Sequence, residues 1–324
     1  MNSASGDLAR RSFLGLVALV PLAGCAAGPA SPDPGPGTGS SAPATTPETP
    51  VAKETPAPPG PTASAAADAG LAALEKKFDA RLGVFAWDTG TGRAITHRAD
   101  DRFAFCSTFK GLAAAAVVQG NPLSHLETLV RYGEDELMKS SMITKKHVKT
   151  GMTIRQLCDA AVRFSDGTAG NLLLRDLGGP RKLTEFARSL GDEVTRMDRI
   201  EPDIVSAEPG DLRDTSSPRA LGGDYHQIVL GEALVPDKRA VLRDLLERNT
   251  TGAARIKAVL PKGWKIANKT GTGDYGTIND IAILWPPKSA PLVISIMSSR
   301  PDRNAAYNED LVAEAAGHVL EILS

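Results

Sequence analysis

Eleven of the chain's 23 prolines fall between residues 26 and 68, among Ser, Thr, Ala and Gly and almost no large apolar side chain. Proline fixes φ and removes a backbone donor, so such a stretch cannot sustain a helix or a strand ladder. With little to bury, it cannot offset the entropy of ordering. Residues 26–68 are therefore expected to form an extended, disordered tether. A packed core must come from residues 69–324, a length sufficient for one substantial catalytic or binding domain.

The segment before the tether reads as a targeting signal. Arg10-Arg11-Ser12-Phe13-Leu14 precedes an apolar run, Leu14 to Leu22, that ends in Leu22-Ala23-Gly24-Cys25. The run is too short to span a bilayer as a helix. The paired arginines resemble a twin-arginine export signal, and Leu-Ala-Gly-Cys resembles a bacterial lipoprotein box. Residues 1–25 are thus expected to direct export, with Cys25 lipidated as the first mature residue. The protein would then sit on the outer face of the cell membrane, touching it only through that lipid. An ordinary signal peptide and secretion is the alternative.

Composition removes several classes of partner. With 37 basic against 38 acidic residues, no charge excess favours nucleic acid or an anionic surface. The five histidines stand far apart, without the paired spacing of a zinc site, and each is read as structural; no metal or organic cofactor is expected. Apart from Cys25, Cys106 and Cys158 remain. Two cysteines do not make a disulfide framework, and whether they pair is open at this level.

Hydrophobic periodicity gives a coarse map. Helical spacing is seen at Leu71–Phe78, Ser107–Val118, Thr153–Arg163, Ala169–Leu177, Arg181–Leu190, Asp237–Arg248 and Asn304–Leu323. Strands are expected at Leu82–Asp88 and Arg93–His97, joined by a Thr-Gly-Thr-Gly turn, and again at Trp264–Lys269, Thr277–Trp285 and Leu292–Ser298. Strands at both ends with helices between predict an α+β fold: one antiparallel sheet built from both chain ends and packed against a mostly helical region.

Three short motifs carry chemistry. Ser107-Thr108-Phe109-Lys110 opens an apolar helix, and a spacing of three places Ser107 and Lys110 one turn apart. A serine hydroxyl is a weak nucleophile until a neighbour removes its proton, and a lysine shielded from water can do so. Ser165-Asp166-Gly167 follows a helix and also suits a plain cap-and-turn. Lys269-Thr270-Gly271-Thr272-Gly273 ends one strand before the next; its lysine and hydroxyls would suit a carboxylate, although a Gly-rich hairpin would look the same.

All three in this order, with matching flanks, resemble the class A serine β-lactamases over residues 70–324. A fourth stretch, Arg199-Ile200-Glu201-Pro202 followed by Pro209 to Thr215, is similar to the family's active-site loop. The resemblance implies a β-lactamase/transpeptidase-like fold and hydrolysis of the β-lactam amide of penicillins and cephalosporins; a monomer is the default expectation. It implies Ser107 as the acylated nucleophile, Lys110 as its proton-handling neighbour, and Ser165 as proton donor to the departing nitrogen. Glu201 would activate the deacylating water. Lys269, Thr270, Gly271 and Thr272 would hold the substrate carboxylate, the N–H groups of Ser107 and Thr272 would form the oxyanion hole, and an Arg199–Asp214 pair would pin the loop. A D-alanyl-D-alanine peptidase or a slow-turnover β-lactam-binding lipoprotein is the alternative.

Departures from the family pattern set further expectations. Gly167 replaces a substrate-contacting Asn, which should widen the site. Val205, whose isopropyl group cannot hydrogen-bond, replaces an Asn that shares the deacylation water. Ile278 stands where an arginine often faces the substrate carboxylate, and Arg255 is expected to supply that guanidinium instead. Ser140 aligns with a bulky gating side chain, which should leave the entrance more open. Cys106 is expected to pack under the helix, and Cys158 to lack its usual disulfide partner, whose place is taken by Ala114.

Overall fold

The structure, a computed structural model, describes residues 65–323. The expected export signal, Cys25 and the tether as far as residue 64 lie outside the described residues, while residues 65–68 belong to a helix.

That helix, α1 (Ala65–Phe78), leads into β1 (Arg81–Asp88) and β2 (Ala94–His97), which pair antiparallel as the expected hairpin. The turn is held by Asp88, whose carboxylate accepts from the Gly90 N–H at 2.8 Å and the Thr91 hydroxyl at 2.7 Å. Short strands follow at β3 (Phe103–Ala104), β4 (Leu129–Val130), β5 (Met152–Thr153) and β6 (Thr215–Ser216). Near the C-terminus lie β7 (Lys265–Thr272), β8 (Ile278–Trp285) and β9 (Leu292–Ser299). The main sheet has the order β2-β1-β9-β8-β7, every pair antiparallel, so the N-terminal hairpin is zipped onto the last strand, Val84 opposite Ile296. The sheet expected from both chain ends is therefore present, and β7 forms its edge.

One face of this sheet packs on α1 and the closing helix α8 (Glu309–Leu323), burying Leu71, Val84, Ile294 and Val319 among others. α8 begins later than the expected Asn304. Asn304 donates its backbone N–H to the Asp302 side chain two residues back at 3.0 Å, while Asn308 caps the helix by accepting from Asp310 N–H at 2.9 Å. A local turn like the one at Asp302 competes with helix.

The other face carries α6 (Pro218–Val229), which the periodicity did not reveal. Its start signals are conventional: Ser217 accepts from the Ala220 N–H at 3.2 Å and Pro218 occupies the first helical position. Gly222 and Gly223 obscure it, because glycine is a poor helix former. Gly222 is needed there by packing, since a Cβ would stand 2.7 Å from the Phe85 ring of β1.

Beyond α6 lies the helical region: α2 (Phe109–Gly120), α3 (Ile154–Arg163), α4 (Gly167–Leu177), α5 (Pro180–Ser189) and α7 (Pro236–Glu247). Residues Phe109 through Val118 are all buried, so α2 is the central helix, enclosed on every side, with Lys110 its one charged residue in that stretch. Its run Ala113–Ala116 lets neighbouring helices approach closely. α3 starts on a capping box in which Thr153 and Gln156 exchange hydrogen bonds, at 3.2 and 2.8 Å. Cys106 and Cys158 are both buried free thiols, with no disulfide among the described residues.

Candidate active site

Ser107 enters the site through a tight local conformation. Cys106 has φ +46°, in the left-handed region, and opens a short 3₁₀ turn, Cys106–Thr108, that runs straight into α2. The turn is fixed from outside: Tyr225 of α6 donates its hydroxyl to Thr108 O at 2.7 Å, and Phe105 N–H donates to Asp214 O at 3.2 Å. Cys106 itself is wholly buried, and burial, reinforced by the carboxylates of Glu201 and Asp214, pushes its thiol up to about 12. It stays a packed thiol beside the serine rather than a nucleophile at neutral pH.

One turn on, Lys110 is fully buried. Its Nζ donates to Ser107 Oγ at 3.0 Å, to Ser165 O at 2.8 Å and to Glu201 Oε1 at 2.6 Å. Gly170 of α4 makes room for this side chain, since a Cβ there would lie 2.8 Å from Lys110 Cε.

The Ser165-Asp166-Gly167 stretch forms the cap-and-turn open to it from sequence, and that turn brings Ser165 to the cleft. Asp166 caps α4 by accepting from Ala169 N–H at 2.9 Å, and also takes the N–H groups of Ile143 and Thr144, each at 2.9 Å. That cap holds Ser165 at φ +56° against the cleft. There Ser165 joins the two buried lysines: its carbonyl takes Lys110 and its Oγ accepts from Lys269 Nζ at 3.1 Å.

Lys269 lies on β7, fully buried. Burial, followed by repulsion from Lys110 and Arg255, holds its ammonium well below the ordinary lysine range. Behind it, Asn249 donates to Asn268 at 3.1 Å and Asn268 donates to Asp280 at 2.8 Å. Asp280 is wholly buried, and burial raises its carboxyl to about 7, partly countered by Arg255.

Arg255 reaches the same edge strand. Only 4% exposed, it donates to the carbonyls of Gly271 at 3.1 Å and Asn279 at 2.8 Å, and to Thr272 Oγ1 at 2.9 Å. Glu309 at the start of α8 faces its Nε at 3.3 Å. The guanidinium is thus built into the wall bearing Thr270, Gly271 and Thr272.

Glu201 sits on the loop between α5 and β6 with 6% of its surface exposed. Its backbone is gripped by Asn171 of α4, which accepts from Glu201 N–H at 3.0 Å and donates to Glu201 O at 2.9 Å. The loop is pinned by Arg199, whose Nε stands 2.5 Å from Asp214 Oδ2. It is also tied to the end of β7, since Asp274 N–H donates to Val205 O at 2.9 Å.

Ser107, Ser165, Glu201, Val205 and the Thr270–Gly273 edge line one open cleft of about 820 Å³. Gly167 is buried at the start of α4. The room an asparagine would take there is filled, because a Cβ would fall 2.1 Å from Glu201 Oε2 and 2.3 Å from Ser140 Oγ. The expected widening at this position is therefore not what the structure shows. Ser140 is turned inward, donating to Glu201 Oε2 at 2.9 Å, and the exposed apolar side chains at the rim are Met142 and Tyr307. Sequence reasoning missed Asn171 and this use of Ser140. Both act through contacts with Glu201 across the chain, which no local motif announces.

The beta-lactamase enzyme family model matches residues 66–323. The chain belongs to the class A serine β-lactamases. Among its relatives is a beta-lactamase of Amycolatopsis lactamdurans, 54% identical over 261 residues, covering 80% of this chain and 86% of that one. A beta-lactamase of Mycobacterium tuberculosis is 53% identical over 260 residues, 78% of this chain and 85% of the relative. Of solved structures, the β-lactamase from Desulfarculus baarsii superposes with a TM-score of 0.79 at 48% identity, covering 80% of this chain and 98% of that one. The enzyme from Streptomyces albus G gives 0.78 at 43% identity, covering 80% and 100%. In this β-lactamase, as the distances above show, four sequence-distant motifs meet around two buried lysines and one carboxylate.

Proposed function

We propose that this enzyme opens the β-lactam amide of penicillins and cephalosporins through an acyl-enzyme on Ser107, conferring antibiotic resistance. The observation that carries the reading is Lys110 Nζ, lying 3.0 Å from Ser107 Oγ and 2.6 Å from Glu201 Oε1. A proton leaving the serine has a short path through the lysine to the carboxylate.

In the acylation step Ser107 Oγ attacks the carbonyl carbon as its proton passes to that pair. The backbone N–H groups of Ser107 and Thr272 receive the developing oxyanion. The C–N bond then breaks, and Ser165, which already contacts Lys269, returns a proton to the departing nitrogen. Lys269, Thr270, Gly271, Thr272 and Arg255 hold the substrate carboxylate, which places the strained ring against the nucleophile.

The four-membered amide acylates a serine readily, so the harder step is hydrolysis of the resulting ester. Glu201 serves this step as general base, taking a proton from the attacking water. A peptidase or a slow-turnover binding lipoprotein would not need a carboxylate held on both its oxygens and its backbone at this place. No helix among the described residues is long and apolar enough to cross a membrane. Export by the twin-arginine route, a lipid on Cys25 and a monomeric catalytic domain complete the reading.

Hydrolysis of a chromogenic cephalosporin, beside a Glu201→Ala control, tests it. Sustained turnover that vanishes in the control is expected; a single stoichiometric burst in both proteins would favour the alternatives.

A further inference from the structure

We propose that Ser140 is a positioning residue for deacylation, orienting the Glu201 carboxylate through a hydrogen bond that exists only because residue 167 is glycine. The inference rests on Glu201 being the base that hydrolyses the acyl-enzyme.

Glu201 offers two carboxylate oxygens, and they have different partners. Oε1 takes the Lys110 ammonium at 2.6 Å, and Oε2 takes the Ser140 hydroxyl at 2.9 Å. Without the second contact the carboxylate would be tethered at one oxygen and free to turn about its terminal bond, which has a broad torsional well. A base that must meet a water and an ester carbon together loses rate when it turns. Val205, which lines the cleft beside Glu201, cannot help through its isopropyl group.

The hydroxyl is delivered by a segment that is itself firmly held. Met138 N–H donates to Ser141 Oγ at 2.9 Å and to Thr168 Oγ1 at 2.8 Å, while Ile143 and Thr144 are bound to the Asp166 cap. These bonds fasten both sides of Ser140 to the first turn of α4. Gly167 lies in that same turn, and a Cβ on it would fall within 2.3 Å of both the Ser140 and Glu201 oxygens. Any side chain at 167 would therefore separate them. Ser140 is exposed, so its truncation does not disturb the core.

The test measures acylation and acyl-enzyme decay separately, by stopped-flow with a chromogenic cephalosporin and by quenched intact-protein mass spectrometry. The proteins are wild type, Ser140→Ala, Ser140→Thr, Gly167→Ala and Glu201→Gln. The expected result is decay about tenfold slower in Ser140→Ala with acylation unchanged, and recovery in Ser140→Thr. Gly167→Ala should slow decay as well, and adding Ser140→Ala to it should cost nothing further. Unchanged decay in Ser140→Ala, or an equal slowing of acylation, would overturn the proposal while a stalled Glu201→Gln left the underlying reading intact. Normal turnover by Glu201→Gln would remove both.

Discussion

Arg199 places its Nε 2.5 Å from Asp214 Oδ2, and the aspartate is only 1% exposed. The other oxygen, Oδ1, accepts the N–H groups of Asp198 at 2.8 Å and Arg199 at 2.9 Å. The pair is therefore a buried clasp across the two ends of the loop that carries Glu201, not an exposed surface bridge. Removing one partner strands a buried charge, which typically costs 3–5 kcal/mol. Because two backbone donors remain on Asp214, Arg199→Ala should lose about 3 kcal/mol in urea unfolding. Acyl-enzyme decay should slow before acylation does, since a displaced carboxylate cannot orient water. Equal loss in both steps would contradict the clasp's role.

Arg255 should act on substrate binding. It donates to Thr272 Oγ1 from within the cleft wall, so its charge lies beside the proposed carboxylate subsite. Arg255→Ala is expected to raise KM about tenfold for substrates bearing the carboxylate, the range of a lost charge-assisted hydrogen bond. Esters of the same substrates should be affected far less. An unchanged KM would refute the assignment.

Lys269 gives the enzyme an alkaline limit. Its pKa lies well below the ordinary 10.5, through burial first and then the charges of Lys110 and Arg255. In the role proposed for Lys269 the charged form attracts the substrate carboxylate. As pH rises through the depressed value, the proton and the attraction are both lost, so kcat/KM should fall before the ordinary lysine range is reached. Lys269→Arg keeps its charge throughout and should shift the fall upward. A pH profile of kcat/KM for both proteins checks the sign; coincident alkaline limbs would rule out Lys269 as the group responsible.

Val205 brings an isopropyl group to the cleft beside Glu201. Val205→Asn supplies a hydrogen-bonding amide, and its backbone bond from Asp274 does not depend on the side chain. Decay of the acyl-enzyme should quicken roughly fivefold, the value of one net neutral hydrogen bond. Identical decay rates in the two proteins would dispose of the idea.

Much of this architecture was legible in the sequence because the signals were local. The β1–β2 hairpin and the last three strands follow from alternation and turn residues, and the spacing of Ser107 and Lys110 defines their shared helical turn. The missing parts are those fixed by distant contacts. α6 hides behind Gly222 and Gly223, whose lack of side chains makes sense only against the Phe85 ring. Asn171 is an unremarkable polar residue in α4 until its two hydrogen bonds to the Glu201 backbone are seen. For Gly167 the residue type was noted but its consequence was inverted: the space filled inward, with Ser140 and Glu201, instead of opening the cleft. Such pairings depend on which loop folds over which helix, and hydrophobic periodicity carries no information about that.

The central claim is that the Ser107 ester still forms, more slowly, when the Glu201 carboxylate is removed, and is hydrolysed only with it. Intact-protein mass spectrometry of Glu201→Gln, mixed with excess penicillin and quenched over time, measures this directly. A covalent adduct on Ser107 that accumulates to one per enzyme and persists, while the wild-type adduct decays at least about a hundredfold faster, is the predicted result. An adduct that clears equally fast in both proteins would contradict the account.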